Sequence, residues 1–352
     1  MSDLQLLAGP AALARIQREG FHQGLFSHVG AAAGGPKWLV QSRLDRALFG
    51  EWLAANPPQL TAIGSSIGAW RLACLAQNDP LAALCRFEDR YLEQRYPSKP
   101  TPAQVSAESR LIMTALLGET GAAEVIAHPW LHLNIYVARA LRGIDASGSA
   151  RDRLALSRAV LANLRGRHKL GRYFERVVFH AGHPAALQRD GFTTHSVPLN
   201  AANLPEVLMA SGTIPGVLET VTTLDGAGSG VYLDGGLIDY HMDLPLADPA
   251  GLLLLPHFST RVTTGWLDKF APWRRAQHLD HAVIIAPSAE WIARLPNGRI
   301  PDRKDFARYD GRDDARIAAW KKALAEGDRL ADGFRDAAVQ GRLEGLVKPL
   351  NF

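Results

Sequence analysis

The stretch Leu60–Trp70, L-T-A-I-G-S-S-I-G-A-W, decides the fold class of this 352-residue chain. A short apolar run ends at Gly64 and a helical pattern begins at Ile67, so Ser66 is predicted to stand at a sharp turn from strand to helix. Gly64 and Gly68 suit such a turn, because a Cβ at either position would crowd it. The G-x-S-x-G pattern therefore indicates a nucleophile elbow, in which the serine hydroxyl points out of the backbone.

A second unit of the same kind precedes the first. Phe26–Val29 has the pattern of a short strand, residues 30–38 (G-A-A-A-G-G-P-K-W) form a glycine-rich loop, and a helical pattern begins near Leu39. Alternation of strands and helices is typical of a mostly parallel sheet. Further apolar runs predict strands at Leu131–Ala138, Arg176–His180, Val197–Leu199, Val231–Leu233, Leu252–Leu255 and Ala282–Ala286. We expect an α/β fold, a three-layer sandwich with a mostly parallel central sheet between helices.

The chain is expected to form one domain over residues 1–352. Residues 79–127 are helical in pattern, polar and without an obvious strand, which predicts a helical cap or insertion. Residues 313–347 have apolar side chains at three- and four-residue steps and predict a helical extension at the C-terminus. Asn203 is expected to cap a helix that has Pro205 in its first turn.

Composition limits the classes of function. Hydrophobic residues make up 47% of the chain, enough for a large core, and the net charge is +4 with a pI near 9.1. Lysines and arginines are scattered, so nucleic-acid binding is not expected. Cys74 and Cys85 are expected to be free thiols in helices. No stretch approaches the ~18 apolar residues that span a bilayer, and the N-terminus lacks a signal-peptide pattern, so we expect a soluble, cytoplasmic protein.

Two other segments supply the chemistry that a serine nucleophile needs. A base must take the hydroxyl proton, and preorganised donors must stabilise the oxyanion that attack creates. The loop before the first helix offers the backbone amides of Gly34, Gly35 and Lys37, while Pro36 has none. Asp234 follows a predicted strand, and we expect strand carboxyl ends to bring it near the elbow.

In four blocks the chain resembles the patatin-like phospholipases, serine acyl hydrolases that use a Ser-Asp dyad. The blocks are Gly34-Gly35-Pro36-Lys37-Trp38, Gly64-Ser65-Ser66-Ile67-Gly68, residues 209–216 (M-A-S-G-T-I-P-G) and Asp234-Gly235-Gly236. The resemblance implies Ser66 as nucleophile, Asp234 as base and residues 34–37 as oxyanion hole. It implies an acyl lipid or small ester as substrate, with no metal ion and no organic cofactor.

The chain departs from the family pattern at both ends of the glycine loop and after the aspartate. Ala33 and Trp38 replace glycines of the loop, and Asp239-Tyr240-His241 stands where an asparagine and a proline are frequent. An aspartate base also needs burial, because a solvated carboxylate with a pKa near ~4 accepts a serine proton poorly.

Two alternatives stay open. A Ser-His-Asp triad would need a histidine after Asp234, and the chain offers His241, His257, His278 and His281. An inactive fold that binds lipid or protein is the other alternative.

The segment Trp266–Arg275, W-L-D-K-F-A-P-W-R-R, is interpreted as core, as a lid or as a surface for transient membrane contact. The sequence gives no prediction of oligomeric state.

Overall fold

The computed structural model describes residues 3–145, 147–247 and 251–350, in which eleven strands form one mixed sheet. The strands are β1 (Leu4–Ala8), β2 (Phe26–Ala31), β3 (Leu60–Ser65), β4 (Leu131–Ala140), β5 (Phe174–His180), β6 (Thr194–Pro198), β7 (Val221–Leu224), β8 (Gly228–Asp234), β9 (Leu252–Pro256), β10 (Ala282–Pro287) and β11 (Val347–Pro349). The order across the sheet is β11-β1-β10-β9-β2-β3-β4-β5-β6, and β8 pairs with β4 and β7.

Helices and short helical turns connect these strands. The helices are α1 (Pro10–Glu19), α2 (Ser42–Asp45), α3 (Ile67–Leu75), α4 (Pro80–Leu92), α5 (Pro102–Leu117), α6 (Gly121–Ala127), α7 (Ala150–Arg165), α8 (Leu204–Ser211), α9 (Ala289–Arg294), α10 (Lys304–Arg308), α11 (Asp313–Val339) and α12 (Leu343–Leu346). The 3-10 turns include Gly35–Val40, Gly235–Leu237 and Trp266–Phe270, and Arg46–Leu53 is π-helical. Local chemistry fixes the helix ends: α5 begins with a capping box between Thr101 and Gln104.

The core lies on both faces of the sheet. Successive residues of one strand enter different clusters: Leu252 and Leu254 of β9 pack with the helices of one face, whereas Leu253 and Leu255 pack on the other. Because both faces of the strand are covered, every one of these positions is apolar, and the sequence shows a continuous apolar run. The second face is covered by α7 and by the segment that follows β8.

One long strand, β4, brings two others together end to end. Along one edge of β4, the parallel strand β3 ends where Ser65 pairs with Tyr136, and the antiparallel strand β8 ends where Asp234 pairs with Val137. Because Tyr136 and Val137 are consecutive, the carboxyl ends of β3 and β8 abut. The expected meeting of carboxyl ends therefore occurs, but between strands that run toward each other rather than side by side.

The α/β fold with a mostly parallel sheet is confirmed. In the described part of the chain, six of the ten strand pairings are parallel, and the four antiparallel ones involve β1, β5, β7 and β8. Strands β1, β7 and β11 were not predicted. Each is short, and β1 and β11 pair with partners remote in sequence.

Other predictions meet mixed outcomes. Residues 79–127 hold helices α4, α5 and α6, and α11 and α12 fill most of 313–347; that the first is a cap, and that 1–352 is one domain, stay predictions. Asn203 does precede α8, but its side chain makes no cap hydrogen bond. Instead its Oδ1 accepts from the amide of Asn200 and its amide group donates to the carbonyl of Pro198.

Neither thiol pairs, and no spanning helix is found in the described part of the chain. Cys74 is buried in α3 and Cys85 is half-buried in α4, and both are free. Across residues 3–145, 147–247 and 251–350, none of the helices has the length and hydropathy that crossing a membrane requires.

Candidate active site

Ser66 has a strained backbone conformation at the junction of β3 and α3. Its φ is 54° and its ψ is −136°, a region that residues with a side chain rarely adopt. The flanking glycines make the turn possible: a Cβ on Gly68 would lie 2.2 Å from the carbonyl oxygen of Ala31, and one on Gly64 would lie 2.9 Å from the amide nitrogen of Ala69. The preceding Ser65 faces away from this turn and donates to the carbonyl of Asp239 over 2.8 Å.

The hydroxyl of Ser66 donates directly to the carboxylate of Asp234. The distance from Ser66 Oγ to Asp234 Oδ2 is 2.7 Å, and the second carboxylate oxygen accepts from the amide of Gly236 over 2.7 Å. Both side chains are enclosed, with residue exposures of 2% for Ser66 and 7% for Asp234. Burial raises the pKa of the Asp234 carboxyl, and the charge of Arg303 and the two hydrogen bonds oppose that rise.

Ser211, at the end of α8, forms a hydrogen bond that holds the backbone of the elbow in place. Its hydroxyl accepts from the backbone amide of Ser66 over 2.9 Å and donates to the carbonyl of Tyr136 over 2.8 Å. This serine thus joins the elbow to β4, the strand that also positions Asp234. The bond from Ser211 to the elbow could not be predicted from local sequence, because 145 residues separate the partners.

The glycine loop begins a 3-10 helix at Gly35, with Gly34 as its N-cap. In such a helix the first ladder bond joins the N-cap carbonyl to the amide three residues later, which here is that of Lys37. The amides of Gly34 and Gly35 precede that bond and carry no helix partner. Gly34, Gly35 and Lys37 all line the space beside Ser66, so the loop is next to the elbow as its sequence predicts.

The aspartate loop is held by close backbone packing and a buried ion pair. A Cβ on Gly235 would lie 2.0 Å from the carbonyl oxygen of Tyr136, so only glycine fits. Asp239 accepts two hydrogen bonds from Arg176, at 2.6 and 2.9 Å, and both side chains are almost fully buried. Here the departure from the family pattern at Asp239 has a structural use, since this pair ties the loop to β5.

Two cavities meet at Ser66. The first, of about 430 Å³, runs beneath α4 and α5 and is largely apolar; its walls include Trp70, Tyr91, Val105, Ile112, Leu218 and Phe306. The second, of about 560 Å³, contains Asp234 and Tyr240 and lies under the 3-10 turn Trp266–Phe270. Asp234 lines only the second cavity, so the two sides of Ser66 differ in chemistry.

The four histidines considered for a triad line neither cavity. His241 and His257 are buried against each other, with ring centroids 4.4 Å apart, and burial lowers the pKa of His257 to about 3 and that of His241 well below its ordinary value. His278 and His281 are exposed. Among the described residues, no histidine lines either cavity or bonds to Ser66 or Asp234.

Arg303 was not singled out by sequence, and Lys269 was noted only as part of the segment Trp266–Arg275. Arg303, just before α10, lines both cavities, and Lys269 donates to the hydroxyl of Tyr240 over 2.9 Å at the second. The turn Trp266–Phe270 supplies a wall of that cavity, which agrees with its interpretation as a lid. Nothing local marks Arg303, because only the tertiary fold brings it to the glycine loop. No group of three or more potential metal ligands occurs in the described ranges.

Comparison with known families identifies one match. The family described as patatin-like phospholipase matches residues 33–242, more than half of the chain. The matched range contains the glycine loop, the elbow and the aspartate loop, and it ends before Lys269 and Arg303. A comparison with curated proteins found no significant match.

Proposed function

The chain belongs to the patatin-like phospholipase family, which are lipid acyl hydrolases, and from this premise we propose that it cleaves carboxylic esters of acyl lipids through an acyl-Ser66 intermediate. The single observation that carries the proposal is the 2.7 Å hydrogen bond from Ser66 Oγ to Asp234 Oδ2 at a strained elbow. A nucleophile and its base within hydrogen-bond reach are what covalent acyl transfer requires.

The proposed reaction has two halves. Ser66 Oγ attacks the ester carbonyl carbon while Asp234 takes its proton, and the amides of Gly34 and Gly35 stabilise the tetrahedral oxyanion. Collapse of this tetrahedral intermediate breaks the bond between the carbonyl carbon and the alcohol oxygen. The alcohol leaves with the proton from Asp234, and the acyl group stays on Ser66. Water then attacks the acyl-Ser66 carbonyl, Asp234 again takes and returns a proton, and the carboxylic acid is released.

Burial supports the use of an aspartate as base. The raised pKa of Asp234 brings its basicity closer to what proton abstraction needs, and the hydrogen bond to Ser66 is stronger in a site with little water. The carboxylate meets the serine directly, so no imidazole stands between them. The geometry therefore favours the dyad over a Ser-His-Asp triad.

The two cavities suggest how the ester is oriented. The leaving alcohol must receive its proton from Asp234, which lines only the second cavity, so we assign the alcohol to that side. The acyl chain then occupies the first cavity, whose walls are mostly aromatic and aliphatic.

Transient contact with a lipid surface is part of the proposal. Phe270 is 54% exposed and Trp273 is 65% exposed, and the turn that carries Phe270 walls the second cavity. Large apolar side chains beside Lys269 and Arg275 suit a headgroup region in which rings insert and cations meet anionic lipids.

A fluorophosphonate probe and a panel of acyl esters test the proposal together. We expect the probe to label Ser66, and Ser66→Ala and Asp234→Asn to reduce kcat/KM at least ~1,000-fold, a loss of more than about 4 kcal/mol in transition-state stabilisation. Ser229→Ala and Asp280→Asn are matched controls, since both residues are exposed and line neither cavity.

Other outcomes identify the alternatives. If His241→Ala or His257→Ala lost as much activity as Ser66→Ala, with folding intact, the base assignment would be wrong. A folded protein whose Ser66 resists the probe and which binds lipid without cleaving it would be a binding module. If the protein cleaved only short soluble esters and no acyl lipid, it would be an esterase, and the proposed action on lipids would be wrong.

A further inference from the structure

The second cavity carries an excess of positive charge. Its walls include four cationic side chains, those of Lys37, Lys269, Arg303 and Lys304, and two carboxylates, those of Asp234 and Asp302. Asp234 is already bonded to Ser66 and Gly236. A site built only for a neutral alcohol has no need of this many cations.

Three of these cations form no ion pair with a carboxylate in the described residues. Within residues 3–145, 147–247 and 251–350, no carboxylate lies within 4.0 Å of the charged group of Lys37, Lys269 or Arg303. The ammonium of Lys37 lies over the ring of Phe258, 4.9 Å from its centroid, and that of Lys269 lies 4.1 Å from the ring centroid of Tyr240. Aromatic faces orient an ammonium group but do not neutralise it.

Burial and neighbouring positive charge both act on two of these lysines. Burial lowers the pKa of Lys37. It also lowers the pKa of Lys269 to about 8, with the positive charges of Lys37 and Arg303 adding to the effect. Like charges gathered at one wall destabilise each other. Asp302 opposes this effect at both lysines, and Asp234 opposes it at Lys269.

Arg303 is held against the catalytic loop. A Cβ on Gly35 would lie 2.9 Å from Arg303 Nε, so the guanidinium group packs directly on the loop. Buried Asp305 anchors the segment by accepting from the amide of Asp302 over 3.1 Å and from Trp320 Nε1 over 3.0 Å. These hydrogen bonds hold residues 302–305 in place beside the cavity.

We propose that Arg303, Lys37 and Lys269 form an anion subsite on the leaving-group side of Ser66, and that the enzyme selects esters whose alcohol carries a phosphate or carboxylate. The inference rests on the proposed hydrolysis and deepens it. Arg303 and Lys269 lie beyond the family-matched range, whereas Lys37 lies within it. Guanidinium groups bind both anions through paired N–H donors, whereas lysines act as point charges.

Matched substrates test the subsite. With one acyl chain throughout, kcat/KM is measured for a neutral monoacylglycerol, its glycerol-phosphate counterpart and a carboxylate-bearing ester; the last two distinguish phosphate from carboxylate. We expect an anionic ester to be preferred, and the ratio of anionic to neutral kcat/KM to fall about tenfold in Arg303→Gln and in Lys269→Gln. Arg342→Gln, an exposed arginine outside both cavities, should leave the ratio unchanged.

One competing role for Arg303 gives a different result. If its charge serves only to keep Asp234 ionised, Arg303→Gln moves the acid limb of kcat/KM to higher pH for all esters equally, and the ratio stays constant. That result, or equal rates of the native enzyme on neutral and anionic esters, overturns the subsite.

A binding measurement separates this inference from the hydrolysis. Dodecyl phosphate and dodecanol are titrated into folded Ser66→Ala protein, which requires no turnover. Tighter binding of dodecyl phosphate that Arg303→Gln weakens about tenfold supports the subsite even if no ester is cleaved. Equal binding of the two compounds refutes it even if the esterase activity is real.

Discussion

The backbone amide of Ser66 donates a hydrogen bond to the hydroxyl of Ser211 over 2.9 Å, so a helix 145 residues away holds Ser66 in its strained conformation. Because the same hydroxyl donates to Tyr136, Ser211→Ala leaves a buried donor and a buried acceptor without partners. We expect kcat to fall about tenfold with little change in KM, measured on a soluble ester. Ser106→Ala is the control, since Ser106 also accepts from a backbone amide, that of Glu219, but not at the elbow. A similar loss of kcat in both variants would mean that only general stability was affected.

The activity should fall in acid with a midpoint above that of an ordinary aspartate. In the proposed mechanism Asp234 acts as a base only when it is ionised. Burial raises its pKa, so protonation begins at a higher pH than for a solvated carboxyl near ~4. The profile of kcat/KM against pH on a neutral ester checks this. A midpoint at or below ~4 would contradict the burial of the base.

Asp234→Asn should stabilise the fold while it removes activity. The pKa of Asp234 is raised in the folded state, so ionisation above that pKa costs free energy of folding, and an amide avoids the cost. Asparagine can still accept from Gly236 and hydrogen-bond to Ser66. We expect the Tm to rise at pH 7.5 and the difference to vanish at a pH below the unfolded pKa, where the native carboxyl is protonated in both states. A lower Tm at pH 7.5 would show that the ionised carboxylate stabilises the fold.

Two glycine substitutions should act in opposite directions. Gly235→Ala places a Cβ 2.0 Å from the Tyr136 carbonyl oxygen, so either the aspartate loop or β4 must shift, and activity should drop at least ~100-fold with a lower Tm. Gly333→Ala, in α11, meets no atom within 4 Å and should stabilise by about 0.5–1 kcal/mol. Thermal unfolding and ester hydrolysis measure both effects. Normal activity in Gly235→Ala would refute the packing described for the loop.

Trp273→Ser should weaken action on lipid surfaces selectively. Its side chain is 65% exposed and lines neither cavity, so removal changes interfacial contact without reshaping the site. We expect lower binding to anionic vesicles and slower hydrolysis of vesicle lipid, with hydrolysis of a short soluble ester unchanged. Val339→Ser, at another exposed apolar residue, serves as comparison. Equal vesicle binding by the two variants would argue against a membrane role for the Trp266–Arg275 segment.

Sequence predicted the parts of the site that depend on local geometry. Ser66 and Gly34 could be placed because strand, glycine and helix follow one another within a few residues. The positions of Ser211 and Arg303 could not, since each reaches the site through contacts across the whole fold. The same limit explains β11, a three-residue strand that forms only because β1, at the other end of the chain, offers an edge.

Strand β4 sets the relative positions of Ser66 and Asp234, because Ser65 pairs with Tyr136 and Asp234 pairs with Val137. Their spacing is set by one peptide step of β4 and not by the reach of flexible side chains. A shift of the cavity walls that left β4 in place would therefore not change this spacing.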